Sequence, residues 1–139
     1  MELVYANIEL VNSGDEEMLS RGLLQKDNIR RTNVSALVDS GAYVLCINDR
    51  VRTQLGLRTI DTQSAQLANG EITEVDIVGP VEVKFLNRST SCRAMVLPGD
   101  NEVLLGSIPM EDMDVIIDPR EQKLTLPPDR PYVAQKSLK

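Results

Sequence analysis

Residues 36–38 form a small, apolar run that leads directly into Asp39, Ser40 and Gly41, and this stretch constrains the fold most. Three such residues before a lone carboxylate predict a buried strand that ends in a tight loop, with the acid at its end. The same residues suit an ordinary β-turn, because Asp and Ser are favoured at turn starts with Gly nearby. Taken alone, the stretch leaves both interpretations open.

A second apolar run also ends in glycine. Leu104 and Leu105 precede Gly106, and residues 108–113 then predict a short helix. An Asp-Thr/Ser-Gly loop, followed later by a hydrophobic-hydrophobic-Gly segment and a helix, is the pattern of the retropepsin-like aspartic proteases. The chain resembles this family over roughly residues 3–126, and its small stand-alone bacterial members in particular. Asp-Ser-Gly alone is a weak motif, whereas the ordered set is fairly specific.

The resemblance implies a mainly β fold over residues 1–126. This is the single-lobe fold of acid proteases, with a closed, barrel-like sheet, psi loops and one or two short helices. Residues 127–139 are expected to be a polar, mobile tail. A chain of 139 residues, 42% of them apolar, suffices for one domain. With one Phe and no Trp, its core must be aliphatic.

The same resemblance implies the activity of an aspartic endopeptidase, with Asp39 as the catalytic group. Ser40, Gly41 and Ala42 would support the active-site loop, and the second psi loop would consist of Leu104, Leu105 and Gly106. Two carboxylates that share one proton supply both a base and an acid. Because the chain has a single Asp-Ser-Gly, the other Asp39 must come from a second protomer of a homodimer with twofold symmetry.

Residues 62–78 predict a β-hairpin that turns at Ala68, Asn69 and Gly70. Asn-Gly between extended flanks favours a tight turn, because both residues tolerate positive φ. By resemblance, this hairpin is the flap that closes over an extended peptide or protein substrate. Its local sequence fits an ordinary surface hairpin equally well, and only its place between the two motif loops favours a lid.

The chain contains no His, which excludes Ser-His-Asp, Cys-His and His-bearing zinc hydrolases and leaves carboxylates as the acid-base groups. No cofactor and no metal are expected. Cys46 and Cys92 are too few for a zinc site and are interpreted as buried thiols, although a disulfide between them stays open. The acidic residues within 111–118 match no calcium loop and are expected to be solvated.

Charge and hydropathy indicate the partners. The net charge is -6, and the Lys and Arg residues are scattered rather than gathered, so the sequence has no footprint for nucleic acid. No apolar run approaches the ~20 residues that span a bilayer, and residues 1–7 do not resemble a secretion signal. No membrane partner and a cytoplasmic location are therefore expected.

Local signals predict the remaining elements. Ser13 and Glu16 have the spacing of a capping box at the start of a short helix. Asn48 is the expected N-cap of a second helix, which Gly56 ends. Period-two patterns predict strands near 2–11, 28–38, 43–47, 81–85, 91–97, 103–105, 115–117 and 123–126, with a turn at Asn87 and Arg88.

A function other than catalysis is also compatible with the sequence. The fold could serve as a catalytically weak or inactive module for dimerisation and interaction, and a self-processing domain is a third interpretation. Retention of Asp39, Ser40 and Gly41 together favours the enzyme.

Overall fold

The computed structural model describes residues 3–67, 69–99 and 101–132. This part of the chain is mainly β, as the sequence predicts, and its short helices lie between strands. The elements are β1 Tyr5–Asn12, α1 Ser13–Ser20, a 3-10 turn Lys26–Asn28, β2 Arg31–Val38, β3 Leu45–Ile47, α2 Asp49–Leu55, β4 Thr59–Gln66, β5 Ile72–Phe85, β6 Arg88–Val96, β7 Leu104–Leu105, α3 Ser107–Met113, β8 Ile116–Asp118 and β9 Lys123–Thr125.

The two-residue strand β7 joins the two halves of the main sheet. Seven strands lie in the order β1-β2-β7-β3-β6-β5-β4, and β8 pairs with β9 separately. β7 runs parallel to β2, with Leu104 opposite Leu37, and antiparallel to β3, with Leu104 opposite Cys46. This insertion brings the loop after β2 next to the start of α3.

The predicted fold class is confirmed, although the sheet of the described residues is not a closed barrel. β1 pairs with both β2 and the C-terminal half of β5, so the sheet folds back on itself. The N-terminal half of β5 instead pairs with β4, and β4 pairs with no other described strand. Because the two halves of β5 have different partners, the β4-β5 hairpin projects from the folded sheet as an arm.

The core is aliphatic, as the sequence predicts. Leu10 of β1, Ile47 of β3 and Leu105 of β7 are fully buried, and Val51 and Leu55 of α2 pack into the same cluster. Full burial of such a side chain contributes roughly 1.5–3 kcal/mol. The packing therefore fixes the central strands at whose ends the two motif loops begin.

One helix start follows its local signal and another does not. Asn48 caps α2, and Gly56 ends it with a φ of 60°, both as predicted. α1 is capped by Asn12 rather than by Ser13: the Asn12 side chain accepts a hydrogen bond from the Asp15 N–H at 3.1 Å. The buried Asn12 amide also donates to a backbone carbonyl of α2. This tertiary contact is invisible to a local capping pattern.

Several strand boundaries differ from the predicted ones, including those of β3 and β6. β3 begins two residues late, and Tyr43 before it is 75% exposed. The turn between β5 and β6 consists of Leu86 and Asn87, because Phe85 pairs with Arg88. Leu86 takes a positive φ of 53° there. Arg88 is therefore the first residue of β6, and its side chain is buried.

Arg88 connects β6 to α3 and to the last described residues. Its guanidinium donates to the carbonyls of Met113 and Asp114 at 3.1 and 2.9 Å. Arg130 donates to the Asp114 carboxylate at 2.8 Å. Asp114 is thus paired with arginine, which corrects the expectation of a solvated acidic group. Residue 130 of the expected tail is bound to the domain, while residues 133–139 lie outside the described ranges.

Two features are absent from the described ranges. None of their helices has the length and apolar character that a membrane span requires. No group of three or more Cys, Asp or Glu side chains within them is arranged to hold a metal ion.

Candidate active site

The backbone around Asp39 is held by the second motif segment. The Leu37 N–H donates to the Val103 carbonyl at 2.8 Å, and the Asp39 N–H donates to the Leu105 carbonyl at 3.0 Å. The parallel pairing of β2 with β7 therefore continues to Asp39 itself. The sequence predicts a carboxylate at the end of a buried strand, and the structure places Asp39 there, half-buried.

Residues 39–42 form a tight loop. The Asp39 carboxylate accepts a hydrogen bond from the Gly41 N–H at 2.9 Å, and its carbonyl accepts one from the Ala42 N–H at 3.1 Å. The turn interpretation and the strand-end interpretation therefore both describe this stretch. Ser40 and Gly41 are exposed and Ala42 is half-buried.

The second psi loop docks on the first through backbone contacts. The Ser107 N–H donates to the Ala42 carbonyl at 2.8 Å, and the Ile108 N–H donates to the Tyr43 carbonyl at 3.0 Å. A Cβ on Gly106 would lie 2.4 Å from the Val44 carbonyl oxygen, closer than real contacts allow. Glycine is therefore required at this position by space, and the two loops form one unit.

The tip of the β4-β5 hairpin has a longer turn than the Asn-Gly signal predicts. The Leu67 N–H donates to the Glu71 carbonyl at 2.8 Å, so the connection spans residues 67–71. Gly70 has a φ of 87°. The Asn69 side chain accepts a hydrogen bond from the Glu71 N–H at 2.9 Å. Ala68 lies outside the described residues.

The hairpin tip and the motif loops line a common cleft of about 610 Å³. Asn69 and Leu67 line it from the hairpin, Ala42 from the first loop and Leu104 from the second. Gly70, Ser40 and Gly41 are not among the lining residues. A cleft of this size is within the range that binds small ligands or a few peptide side chains.

Comparison with known proteins agrees with this geometry. The sequence profile of a family described as "Aspartyl protease" matches residues 27–108, more than half of the chain, and the match includes Asp39 and Gly106. The chain belongs to this family. No curated protein matched.

The fold agrees with the same assignment. The crystal structure of the retroviral protease-like domain of Ddi1 from Leishmania major is similar, with a TM-score of 0.57 and 16% sequence identity over 92% of this chain and 90% of that chain. At this identity, the likeness shows the fold alone. Together, the profile and the fold confirm the resemblance to retropepsin-like aspartic proteases.

In this member of the family, Cys46 lies beside the motif loops, a position that the sequence does not predict. The side chain lines the common cleft. Burial, with a smaller effect from the negative charge of Asp39, raises the pKa of the Cys46 thiol to about 11. Cys46 and Cys92 are both free thiols. The register that places Cys46 opposite Leu104 depends on strand order and has no local signal in the sequence.

Asp39 does not line this cleft and instead borders a second groove, of about 450 Å³. This groove is lined by Ser40 and by apolar residues of the N-terminal segment, β2 and β8, including Leu3, Leu37 and Ile117. Leu3 is 65% exposed. An open apolar surface is therefore continuous with the loop of residues 39–42.

Proposed function

We propose that the protein is an endopeptidase whose catalytic centre consists of Asp39 and Asp39 of the partner subunit. The observation that carries the proposal is the position of Asp39, half-buried at the end of β2 and bound to the Leu105 carbonyl by its own N–H. The family profile and the absence of His support carboxylate chemistry at this position.

The proposed reaction needs one proton between the two carboxylates. Like charges at hydrogen-bonding distance do not both ionise, so one group is a base and the other an acid. The base takes a proton from a water molecule whose oxygen attacks the peptide carbonyl carbon. The acid gives its proton to the leaving nitrogen as the C–N bond breaks. No further group is required for the proton balance.

The second carboxylate is proposed to come from a homodimer, because the chain contains one Asp-Ser-Gly. A twofold axis beside Ser40 would bring the same loop of each subunit together. The apolar groove at Asp39, with exposed Leu3 at its rim, supports this location for the contact. Ser40 is proposed to brace the paired loops, and Gly41 to allow close approach of the substrate backbone.

The β4-β5 hairpin is proposed to be the lid over an extended peptide. Its support is the shared cleft, in which Leu67 and Asn69 lie across from Ala42 and Leu104. A lid of this kind excludes water and orients the scissile bond. The peptide would lie between the hairpin and the two psi loops.

The experiment is cleavage of a peptide library by the wild type and by Asp39→Asn. The substitution preserves shape but removes the ionisable pair, and we expect kcat/KM to fall by about 10⁴-fold or more. The wild-type pH profile should be bell-shaped, with its optimum on the acid side of neutral, because the active form carries one shared proton.

The matched control is Asp27→Asn, the same change on an exposed residue of the 3-10 turn. It should leave activity unchanged, and circular dichroism and sedimentation should confirm folding of both variants. Equal cleavage by wild type and Asp39→Asn would overturn the proposal. No cleavage by either protein would favour the interaction module instead.

A further inference from the structure

The cleft beneath the hairpin has an uneven charge. Among its described lining residues, Glu102 alone carries a charge, and neither Lys nor Arg is present. The wall next to it includes the apolar side chains Met95, Leu97 and Leu104. An apolar wall with one carboxylate is complementary to a side chain that has an aliphatic stem and a cationic head.

The Glu102 carboxylate is oriented by β1. The Tyr5 hydroxyl donates to its Oε1 at 2.7 Å, and this bond raises the pKa of the Tyr5 phenol. Within the described residues, Glu102 has no ion-pair partner. Arg50 borders a neighbouring groove that Glu102 also lines, but it forms no ion pair with Glu102. The carboxylate therefore retains acceptor capacity for a cation in the cleft.

We propose that Glu102 is a specificity residue that selects Arg or Lys side chains of the substrate. The aliphatic stem would lie against Leu97 and Leu104, and the cationic head would bind Glu102. The inference rests on the proposed function, because it requires the cleft to hold a peptide. Tyr5 is a positioning residue in this arrangement, since it holds the carboxylate without touching the substrate.

A structural role for Glu102 would be limited to the Tyr5 hydrogen bond, which ties β1 to the segment before β7. That role predicts an effect on stability but none on the choice between charged and uncharged peptides. The two roles therefore separate in a measurement of charge preference.

The cleavage experiment compares peptide libraries with a single Arg or a single citrulline at each position in turn. Citrulline keeps the shape of Arg and removes its charge. At one position, the wild type should prefer Arg in kcat/KM by about fivefold, the value of a partly exposed ion pair of about 1 kcal/mol. The preference should weaken as salt is raised.

Three variants test the assignment. Glu102→Gln should abolish the preference for Arg over citrulline, and Tyr5→Phe should reduce it. Glu111→Gln, the same change on an exposed residue of α3, should retain it. An unchanged Arg-to-citrulline ratio in a folded Glu102→Gln protein would overturn the inference.

Measurements of peptide binding test the role of Glu102 independently of the proposed catalysis. The affinities of an Arg peptide and its citrulline analogue are measured on Asp39→Asn, with and without Glu102→Gln. Tighter binding of the Arg peptide, lost with Glu102→Gln, supports the specificity site even if the wild type cleaves nothing, and in that case the proposed catalysis alone fails. Equal affinities, or no binding of either peptide, overturn the inference.

Discussion

At the scale of single residues, Gly70 and Gly106 are both glycine for different reasons. At Gly106 there is no space for a side chain, because the backbone of residues 43–44 lies where a Cβ would be. A Cβ on Gly70 would meet nothing within 4 Å, but its φ of 87° is a conformation that most side chains disfavour. Substitution of Gly70 therefore tests the turn itself rather than packing.

Gly70→Val should lower kcat/KM with little loss of fold, because a β-branched residue opposes the positive φ and shifts the hairpin tip over the cleft. Gly70→Asn is the matched variant, since Asn tolerates this conformation, and its activity should stay near that of the wild type. Peptidase kinetics with far-UV circular dichroism make the comparison. Unchanged kinetics in a folded Gly70→Val protein would mean that the hairpin is not a lid.

At the scale of elements, α1 is anchored to the start of β2 by one buried carboxylate. Asp15 accepts hydrogen bonds from the Arg30 N–H and from two guanidinium nitrogens, each at 2.9 Å. These bonds outweigh burial and lower the pKa of Asp15 below its ordinary 3.8. Segment 13–27, which has no assigned role from sequence, is thereby fixed to the main sheet.

Asp15→Asn should reduce the free energy of unfolding by about 2 kcal/mol at pH 7, because the carboxylate is buried and its bonds are charge-assisted. A carboxylate whose pKa is lower in the folded state stabilises the fold fully at pH values above its pKa in the unfolded chain. This contribution is lost as the pH falls through its pKa in the folded state. The gap between wild type and variant should therefore shrink below about pH 4. Urea unfolding across pH values measures it.

The control is Glu17→Gln on the same helix. Glu17 pairs with Arg21 at 2.8 Å, and both side chains are largely exposed. The change should therefore lower the free energy of unfolding by less than about 1 kcal/mol. A stability gap for Asp15→Asn that stayed constant from pH 7 to pH 3 would contradict an ionised Asp15 as the anchor.

Elements were predictable from sequence where their signals are local. α2 has its N-cap and its terminal glycine directly next to its two ends, and both were identified. The cap of α1 depends on Asn12, whose amide is bound by a distant carbonyl, and the start of β6 depends on the burial of Arg88 between segments. The predicted boundaries failed at these two places because tertiary contacts decide them.

At the scale of the whole molecule, the sequence predicted the order of the two psi loops but not the cleft between them. Asp39 and Gly106 were found from short motifs. The insertion of β7 between β2 and β3 has no local signal, and only this insertion brings Cys46 and Glu102 to the cleft. The sheet departs from a closed barrel because β5, besides its pairing with β6, pairs with β1 over its C-terminal half and with β4 over its N-terminal half.

A catalytic centre shared across two subunits predicts how mixtures of wild-type and Asp39→Asn chains behave. If each site needs Asp39 from both chains, a dimer of one wild-type and one Asp39→Asn chain is inactive. Random exchange then makes the activity per wild-type chain proportional to the wild-type fraction. A catalytic centre within one subunit would make that activity independent of the fraction.

The most direct test is therefore a titration of a fixed amount of wild type with Asp39→Asn, after subunit exchange and with peptide substrate in large excess. Activity per wild-type chain should fall to about one half in an equimolar mixture and to about one tenth at a ninefold excess of the variant. In the control titration, Asp27→Asn replaces Asp39→Asn, and the activity per chain should stay constant because every chain then carries Asp39. Activity that stays constant across the titration would contradict a centre built from two subunits.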